Sequence, residues 1–162
     1  MHIREVTVED AVKICRIYNY YVESTCISFE TDPVSEEEMK GRILSFIHAN
    51  DPYYVAEVDG TIVGFVHIHK WKERRAYSQT KEITVYLDHQ AKGKGYGTKL
   101  YEYLFKKLDP STTHVLIAGI CIPNEASVKL HEKFGFRQVS HYKEVGYKFN
   151  EWRDVGHWQL IL

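Results

Sequence analysis

The run Gln90-Ala91-Lys92-Gly93-Lys94-Gly95-Tyr96-Gly97-Thr98 decides how this chain is read. It follows a β-like segment, Ile83-Thr84-Val85-Tyr86-Leu87, and precedes an amphipathic segment from Leu100 to Leu108. Three glycines within five residues let a backbone turn present its N–H groups. A helix starting there adds its own unbonded amides and the positive end of its dipole. The combination is an anion cradle suited to a pyrophosphate. Two common nucleotide motifs are excluded. A Walker loop needs a glycine five places before Gly93-Lys94, where this chain has Asp88, and the dinucleotide fingerprint needs Gly-x-Gly-x-x-Gly where this chain has Gly-x-Gly-x-Gly. A strand-to-helix turn kept for packing alone is the other reading of the same glycines.

Working outward, the chain of 162 residues is expected to form one domain, 1–162. Its hydrophobic content of 44% and charged content of 27% are those of a globular protein. A formal net charge of −1 gives no electrostatic reason to expect a nucleic-acid or anionic-membrane partner. No apolar run is long enough to span a bilayer, and Met1-His2-Ile3-Arg4-Glu5 does not read as a signal peptide. Cys15, Cys26 and Cys121 are odd in number and far apart, which argues against a disulfide framework and for a cytoplasmic location. His67 and His69 share one face of a strand, but no third ligand accompanies them and no metal is expected.

Period and punctuation place the elements. Residues 2–7 alternate as a strand, and a helix runs from Thr7 or Glu9 to about Glu23. Ser35 and Glu38 form a capping box for a helix over Met39 to Ile47, ended by Asp51-Pro52. Tyr53–Val58, the turn Asp59-Gly60 and Thr61–His69 read as a hairpin. A polar, aromatic loop spans 71–79. Lys81–Leu87 is a strand, the helix after the glycine turn ends at Asp109-Pro110, and His114–Ile122 is a buried strand. Asn124 starts a short helix that Gly135 ends, and strands follow near Arg137–Val145 and Val155–Leu162. The expected class is α/β (α+β), a mixed sheet flanked by helices.

The residues around the glycine turn carry a resemblance. Gln90-Ala91-Lys92-Gly93-Lys94-Gly95 matches [Gln/Arg]-x-x-Gly-x-[Gly/Ala], the acetyl-CoA signature of the GNAT superfamily of N-acetyltransferases. Asn124-Glu125-Ala126-Ser127-Val128-Lys129-Leu130-His131-Glu132-Lys133-Phe134-Gly135-Phe136 is similar to a second signature of that superfamily, with His131 where tyrosine is usual. Three further stretches resemble the phosphinothricin N-acetyltransferase branch: Ser28-Phe29-Glu30-Thr31-Asp32-Pro33, the segment from Trp71 to Tyr86, and the C-terminal Gly146-Tyr147-Lys148-Phe149 with Trp152 to Leu160.

The resemblance implies a mostly antiparallel sheet splayed at an acetyl-CoA site, with acetyl-CoA as co-substrate, no metal, and a homodimer. It assigns cofactor contacts to Val85, Tyr86, Leu87, Gly93, Lys94, Gly95, Tyr96, Gly97, Thr98, Asn124 and Lys133. Asn124 is equally a helix N-cap. Glu82 falls at the branch's catalytic glutamate, where a carboxylate takes a proton from an ammonium so that the free amine attacks a thioester. Its other reading is a surface glutamate paired with Lys81 or Arg75. His131 is the second catalytic candidate, as acid, second base or relay, its other reading being structural; Tyr101 is a weaker donor candidate, expected rather to pack in the core. Phe29, Lys72, Arg74, Tyr77 and Val155 are implied to surround a small amino-acid-like acceptor of the phosphinothricin or methionine sulfone or sulfoximine type. The branch carries arginine where this chain has Glu30, and its methionine-sulfone relatives carry Phe-Arg-Tyr where this chain has Tyr77-Ser78-Gln79. Alternatives are acetylation of a peptide or protein, and a non-catalytic CoA-binding sensor.

Overall fold

The computed structural model describes residues 1–162. In chain order the elements are β1 (His2–Glu5), α1 (Ala11–Ser24), α2 (Glu36–Ala49), β2 (Tyr53–Val58), β3 (Thr61–Lys70), β4 (Thr80–Leu87), α3 (Tyr96–Lys107), β5 (Val115–Ile122), α4 (Glu125–Lys133), β6 (Arg137–Lys148) and β7 (Glu151–Ile161). The seven strands follow the order β1-β2-β3-β4-β5-β7-β6. Every pair is antiparallel except β4 with β5. The expected α/β class with a mixed, mostly antiparallel sheet is therefore the one observed. No helix is long and apolar enough to cross a membrane.

The chain divides into two compact units. The first comprises residues 1–20, 33–69 and 84–108. Its strands are β1 to β3 and the C-terminal half of β4. The β2–β3 hairpin turns at Asp59 and Gly60, both left-handed (φ 49° and 73°), as the Asp-Gly signal predicts. Ser35 caps α2, its hydroxyl accepting from Glu38 N–H at 3.1 Å, and Asn50 closes the helix in the left-handed region. Phe46 of α2 packs on Tyr53 and His67, and Tyr103 of α3 packs on Tyr54. Between them Val55, Val66, Ile43, Leu100, Tyr101 and Leu104 are fully sealed, so Tyr101 is a core residue as expected.

The second unit comprises residues 21–32, 70–83 and 109–162. Its sheet is the N-terminal half of β4 followed by β5, β7 and β6. Directly paired residues share a face. One face carries the row Glu82–Ile117–Gln159, then Gly119 with His157, then Cys121–Val155–Tyr142, then Arg153 with Gly146. The opposite face carries Leu116 with Leu160 and Ala118 with Trp158. Helix α4 lies on that second face, where Trp158 Nε1 donates to Glu132 and Leu160 sits under Gly135. The segment 21–32 lies on the first face. There the Phe29 ring covers Gly146 so closely that any Cβ at 146 would collide with it. The buried Lys148 ammonium donates to the Ser28 carbonyl at 2.7 Å.

Helix α3 begins at Tyr96, within the glycine run, as expected. Two details differ from expectation. The loop 71–79 contains a short 3-10 turn at Arg75–Tyr77. Strand β7 starts at Glu151 rather than near Val155, because Phe149 and Asn150 both adopt left-handed φ and close a long hairpin with β6.

Candidate active site

In the first unit the chain leaves β4 through Val85, Tyr86 and Leu87 and turns into the glycine run. The Tyr86 ring meets Tyr18 edge-on at 5.2 Å and Phe65 at 5.6 Å, so its side chain is fixed by packing. Asp88 begins the turn. It accepts from Gln90 N–H and from Lys13 Nζ, each at 3.0 Å. Burial pushes its carboxyl up, and those donors outweigh burial and hold it below the usual range. Gly93 and Gly95 adopt φ of 77° and 76°, which a side chain would resist. Gly95 is the N-cap of α3 and has no side chain to cap it. Lys99 N–H is the first amide to find a helical carbonyl, that of Gly95 at 3.2 Å. The amides of Tyr96, Gly97 and Thr98 therefore have no acceptor within the helix. Val85–Leu87 and Gly93–Thr98 thus sit in one unit, joined by a five-residue turn that is anchored to α1 through Lys13. Beside the turn, Tyr20 stacks flat on His89 at 4.0 Å with Lys92 over its ring.

In the second unit Asn124 caps α4, its side-chain oxygen accepting from Ser127 N–H at 3.2 Å. The helix carries His131, which is buried, and Lys133, which is exposed. The His131 ring stands edge-on to Phe136 at 5.1 Å, and its Nδ1 lies 2.7 Å from the Ser127 carbonyl. A carbonyl only accepts, so Nδ1 carries the proton and Nε2 is the basic nitrogen of the neutral ring. Burial pushes the imidazole below its usual value, and the Ser127 carbonyl opposes that only in part. Glu82 lies on the other face of the sheet from α4, so Glu82 and His131 are not brought side by side within this unit.

The five residues expected around an acceptor fall into three groups. Lys72 lies over the rings of Trp71 (4.4 Å) and Tyr77 (5.6 Å), which meet edge-on at 5.4 Å. Arg74 is exposed and its carbonyl accepts from Tyr77 N–H at 2.9 Å, closing the 3-10 turn. Phe29 lies over Gly146, and Val155 lies opposite Cys121 on the face that also carries Glu82. Two residues that shape this face escape a local reading of the sequence. Lys148 and Gly146 fix the Ser28–Phe29 segment, and only the small residue at 146 gives a local hint. No group of three or more His, Cys, Asp or Glu side chains is arranged to hold a metal ion.

These elements are those of an acetyltransferase fold, and the comparisons agree. Residues 3–157 match the acetyltransferase (GNAT) domain, and the chain belongs to that family. It is 36% identical over 159 residues to a phosphinothricin N-acetyltransferase of Streptomyces viridochromogenes, covering 98% of this chain and 86% of that protein. It is 31% identical over 166 residues to an L-methionine sulfoximine/L-methionine sulfone acetyltransferase of Salmonella typhimurium, covering 100% and 95%. Its fold superposes with a TM-score of 0.95, at 29% identity and over 99% of this chain and 88% of the other, on a GNAT superfamily phosphinothricin acetyltransferase of Sinorhizobium meliloti solved in complex with acetyl-CoA.

Proposed function

We propose that the chain is a single acetyl-CoA-dependent N-acetyltransferase domain that acylates the α-amino group of a small amino-acid-like acceptor. The acceptor is of the phosphinothricin or methionine sulfone or sulfoximine type, and the amine attacks the thioester directly. The observation that carries this reading is the uncapped start of α3 behind two left-handed glycines, immediately downstream of Val85–Leu87. In this reading the amides of Gly93 to Thr98, with Lys92, Lys94 and Lys99 nearby, take the pyrophosphate. The pantetheine arm adds to the backbone of Val85, Tyr86 and Leu87 as an extra strand. Asn124 and Lys133 complete the cofactor contacts.

Glu82 takes a proton from the acceptor ammonium, directly or through water, and the free amine attacks the thioester carbon. A backbone N–H near Val85 stabilises the oxyanion. Collapse of the tetrahedral intermediate breaks the C–S bond, and the thiolate of CoA takes up a proton. The depressed imidazole of His131 favours a relay role, since a ring that rests neutral must receive a proton before it can give one. Lys72, Arg74 and Tyr77 suit the anionic groups of the acceptor, and Phe29 and Val155 supply apolar walls. Glu30 introduces a negative charge next to Phe29, which favours an acceptor less anionic than phosphinothricin.

We further infer a cytoplasmic homodimer with no metal, nucleic-acid or membrane partner. The dimer is supported by the large apolar side chains left exposed on the β6–β7 hairpin, among them Val139, Val145, Tyr147 and Trp152. The test is thiol release from acetyl-CoA with a panel of amino acids, methionine sulfone, methionine sulfoximine, phosphinothricin, polyamines and peptides. Turnover is expected with amino-acid-like acceptors. Turnover with peptides alone would refute the reading, and acetyl-CoA binding without any turnover would favour a CoA sensor.

A further inference from the structure

The second unit contains a thiol pair that the chemistry above does not use. Cys121 is buried near the end of β5, opposite Val155. Cys26 is partly exposed in the segment 21–32, and its thiol lies near enough to that of Cys121 for the two to perturb one another. The geometry around them is fixed from three sides. Lys148 donates to the Ser28 carbonyl at 2.7 Å, and the Phe29 ring covers Gly146. The ladder places Gly146 and Arg153 one row beyond Cys121 and Val155 on the same face. Segment 21–32 is thus held against the sheet at positions 28 and 29, and Cys26, two residues earlier, meets β5. Lys148 lies within electrostatic reach of both thiols, and Arg153 within reach of Cys121. Positive charge beside a thiol favours the attacking thiolate in exchange chemistry. The third cysteine, Cys15, is separate: it belongs to the first unit, and its thiol is bonded to the Val34 carbonyl at 3.1 Å.

We propose that Cys26 and Cys121 form a reversible disulfide that locks segment 21–32, with Phe29, onto β5. The oxidant is a peroxide, and it enters at the partly exposed residue. The Cys26 thiolate attacks one peroxide oxygen, the O–O bond breaks, hydroxide leaves and Cys26 becomes a sulfenic acid. The Cys121 sulfur then attacks the Cys26 sulfur, the S–O bond breaks, and the Cys121 proton leaves with the hydroxyl as water. In total two thiols are oxidised to one disulfide and one hydrogen peroxide is reduced to two waters. A dithiol reductant reverses the step. Burial pushes the Cys121 thiol up, and the neighbouring Cys26 pushes it further. Cys121 therefore stays protonated until Cys26 has been oxidised, which makes it the resolving partner. The bridge would join residues 95 positions apart (121 minus 26). A loop of that length restricts the unfolded chain strongly and raises thermal stability. The consequence for acceptor use rests on the function proposed above, since it assumes that Phe29 walls the pocket. The disulfide does not.

The test uses the full chain, reduced and then treated with hydrogen peroxide. The expected product loses two of its three titratable thiols and two hydrogen atoms of mass, yields a linked peptide containing Cys26 and Cys121, and melts at a higher temperature. Amide exchange over 21–32 is expected to slow, and a dithiol reductant restores every readout. Cys15→Ser should behave as wild type, whereas Cys26→Ser and Cys121→Ser should form no intramolecular link while melting near the reduced wild type. Three free thiols after treatment, or a sulfenic acid that persists on Cys26 beside an intact Cys121, would overturn the proposal. In the linked form the KM for the amine is expected to change and the KM for acetyl-CoA to stay. Linkage and slowed exchange with an unmoved amine KM would uphold the lock and refute instead the placement of Phe29 in the acceptor pocket.

Discussion

Lowering the pH from 8 to 5 is expected to cost the folded protein about 2 kcal/mol through His67 alone. His67 lies in an aromatic cluster, with Phe46 at 4.5 Å, Tyr53 at 4.8 Å and Phe65 stacked at 6.2 Å. Its Nδ1 is sealed from water and has no hydrogen-bond partner. Burial, with a smaller contribution from His69, pushes the imidazole down from 6.5 to about 3. The unfolded chain therefore binds this proton as the pH falls through 6.5, and the folded chain does not. Stability is complete above the unfolded value and is lost progressively as the pH falls toward the folded one. At pH 5 the loss is RT ln(1 + 10^1.5), about 2 kcal/mol. The folded value lies well below 5, so the loss at that pH is set almost entirely by the unfolded value, which makes pH 5 the right place to measure. For a chain of this length the loss corresponds to about 4–8 °C in Tm. The assay is thermal unfolding by circular dichroism at pH 8 and pH 5, for wild type and His67→Phe. The variant should be at least as stable at pH 8, since an unsatisfied buried nitrogen is removed. Its drop in Tm between the two pH values should be smaller than that of wild type by the stated amount. Equal drops in the two proteins would refute the reasoning. His131, depressed in the same direction, and Asp10, whose carboxyl is also held low, are present in both proteins and cancel in the comparison.

Other outcomes follow from the same geometry. Gly95→Ala places a side chain at φ 76° and should cost about 1–2 kcal/mol of stability, and calorimetry should show weaker acetyl-CoA binding with the acceptor KM unmoved. Asp10→Asn breaks a two-pronged pair with Arg4 (2.7 and 2.8 Å) and weakens the bond from Thr7 N–H; a loss of about 2–4 kcal/mol in denaturant unfolding is expected. Glu82→Gln should raise the pH at which acetyl transfer appears, and an unchanged pH–rate profile would remove Glu82 as the base. Acetyl-CoA should slow amide exchange at Tyr96 to Thr98, measured by mass spectrometry, because it supplies the acceptors those amides lack.

Features written in neighbouring residues were legible in the sequence. The Asp59-Gly60 hairpin, the Ser35 N-cap and the left-handed glycine turn each need only a few adjacent residues, and each forms, while the Glu38 carboxylate expected to complete a capping box pairs with Arg42 at 2.6 Å. The Phe149-Asn150 turn was not legible, because left-handed φ at a phenylalanine follows from pairing along β6 and β7 and from the Tyr147–Trp152 ring contact at 4.9 Å. In the second unit, the hold of Lys148 on Ser28 spans 120 positions and the approach of Cys26 to Cys121 spans 95, beyond the reach of any local pattern.

Strand β4 places Glu82 in one compact unit and Val85–Leu87 in the other, with only Ile83 and Thr84 between them. A strand has one register, and a one-residue slip turns every side chain to the opposite face. Ile83 is a buried core position, and an insertion or deletion at 83 or 84 would shift the register of the strand. In this lineage β4 should therefore diverge by replacement alone. Changes of length should collect in the 71–79 loop, where the chain is largely exposed and only a short 3-10 turn constrains its path.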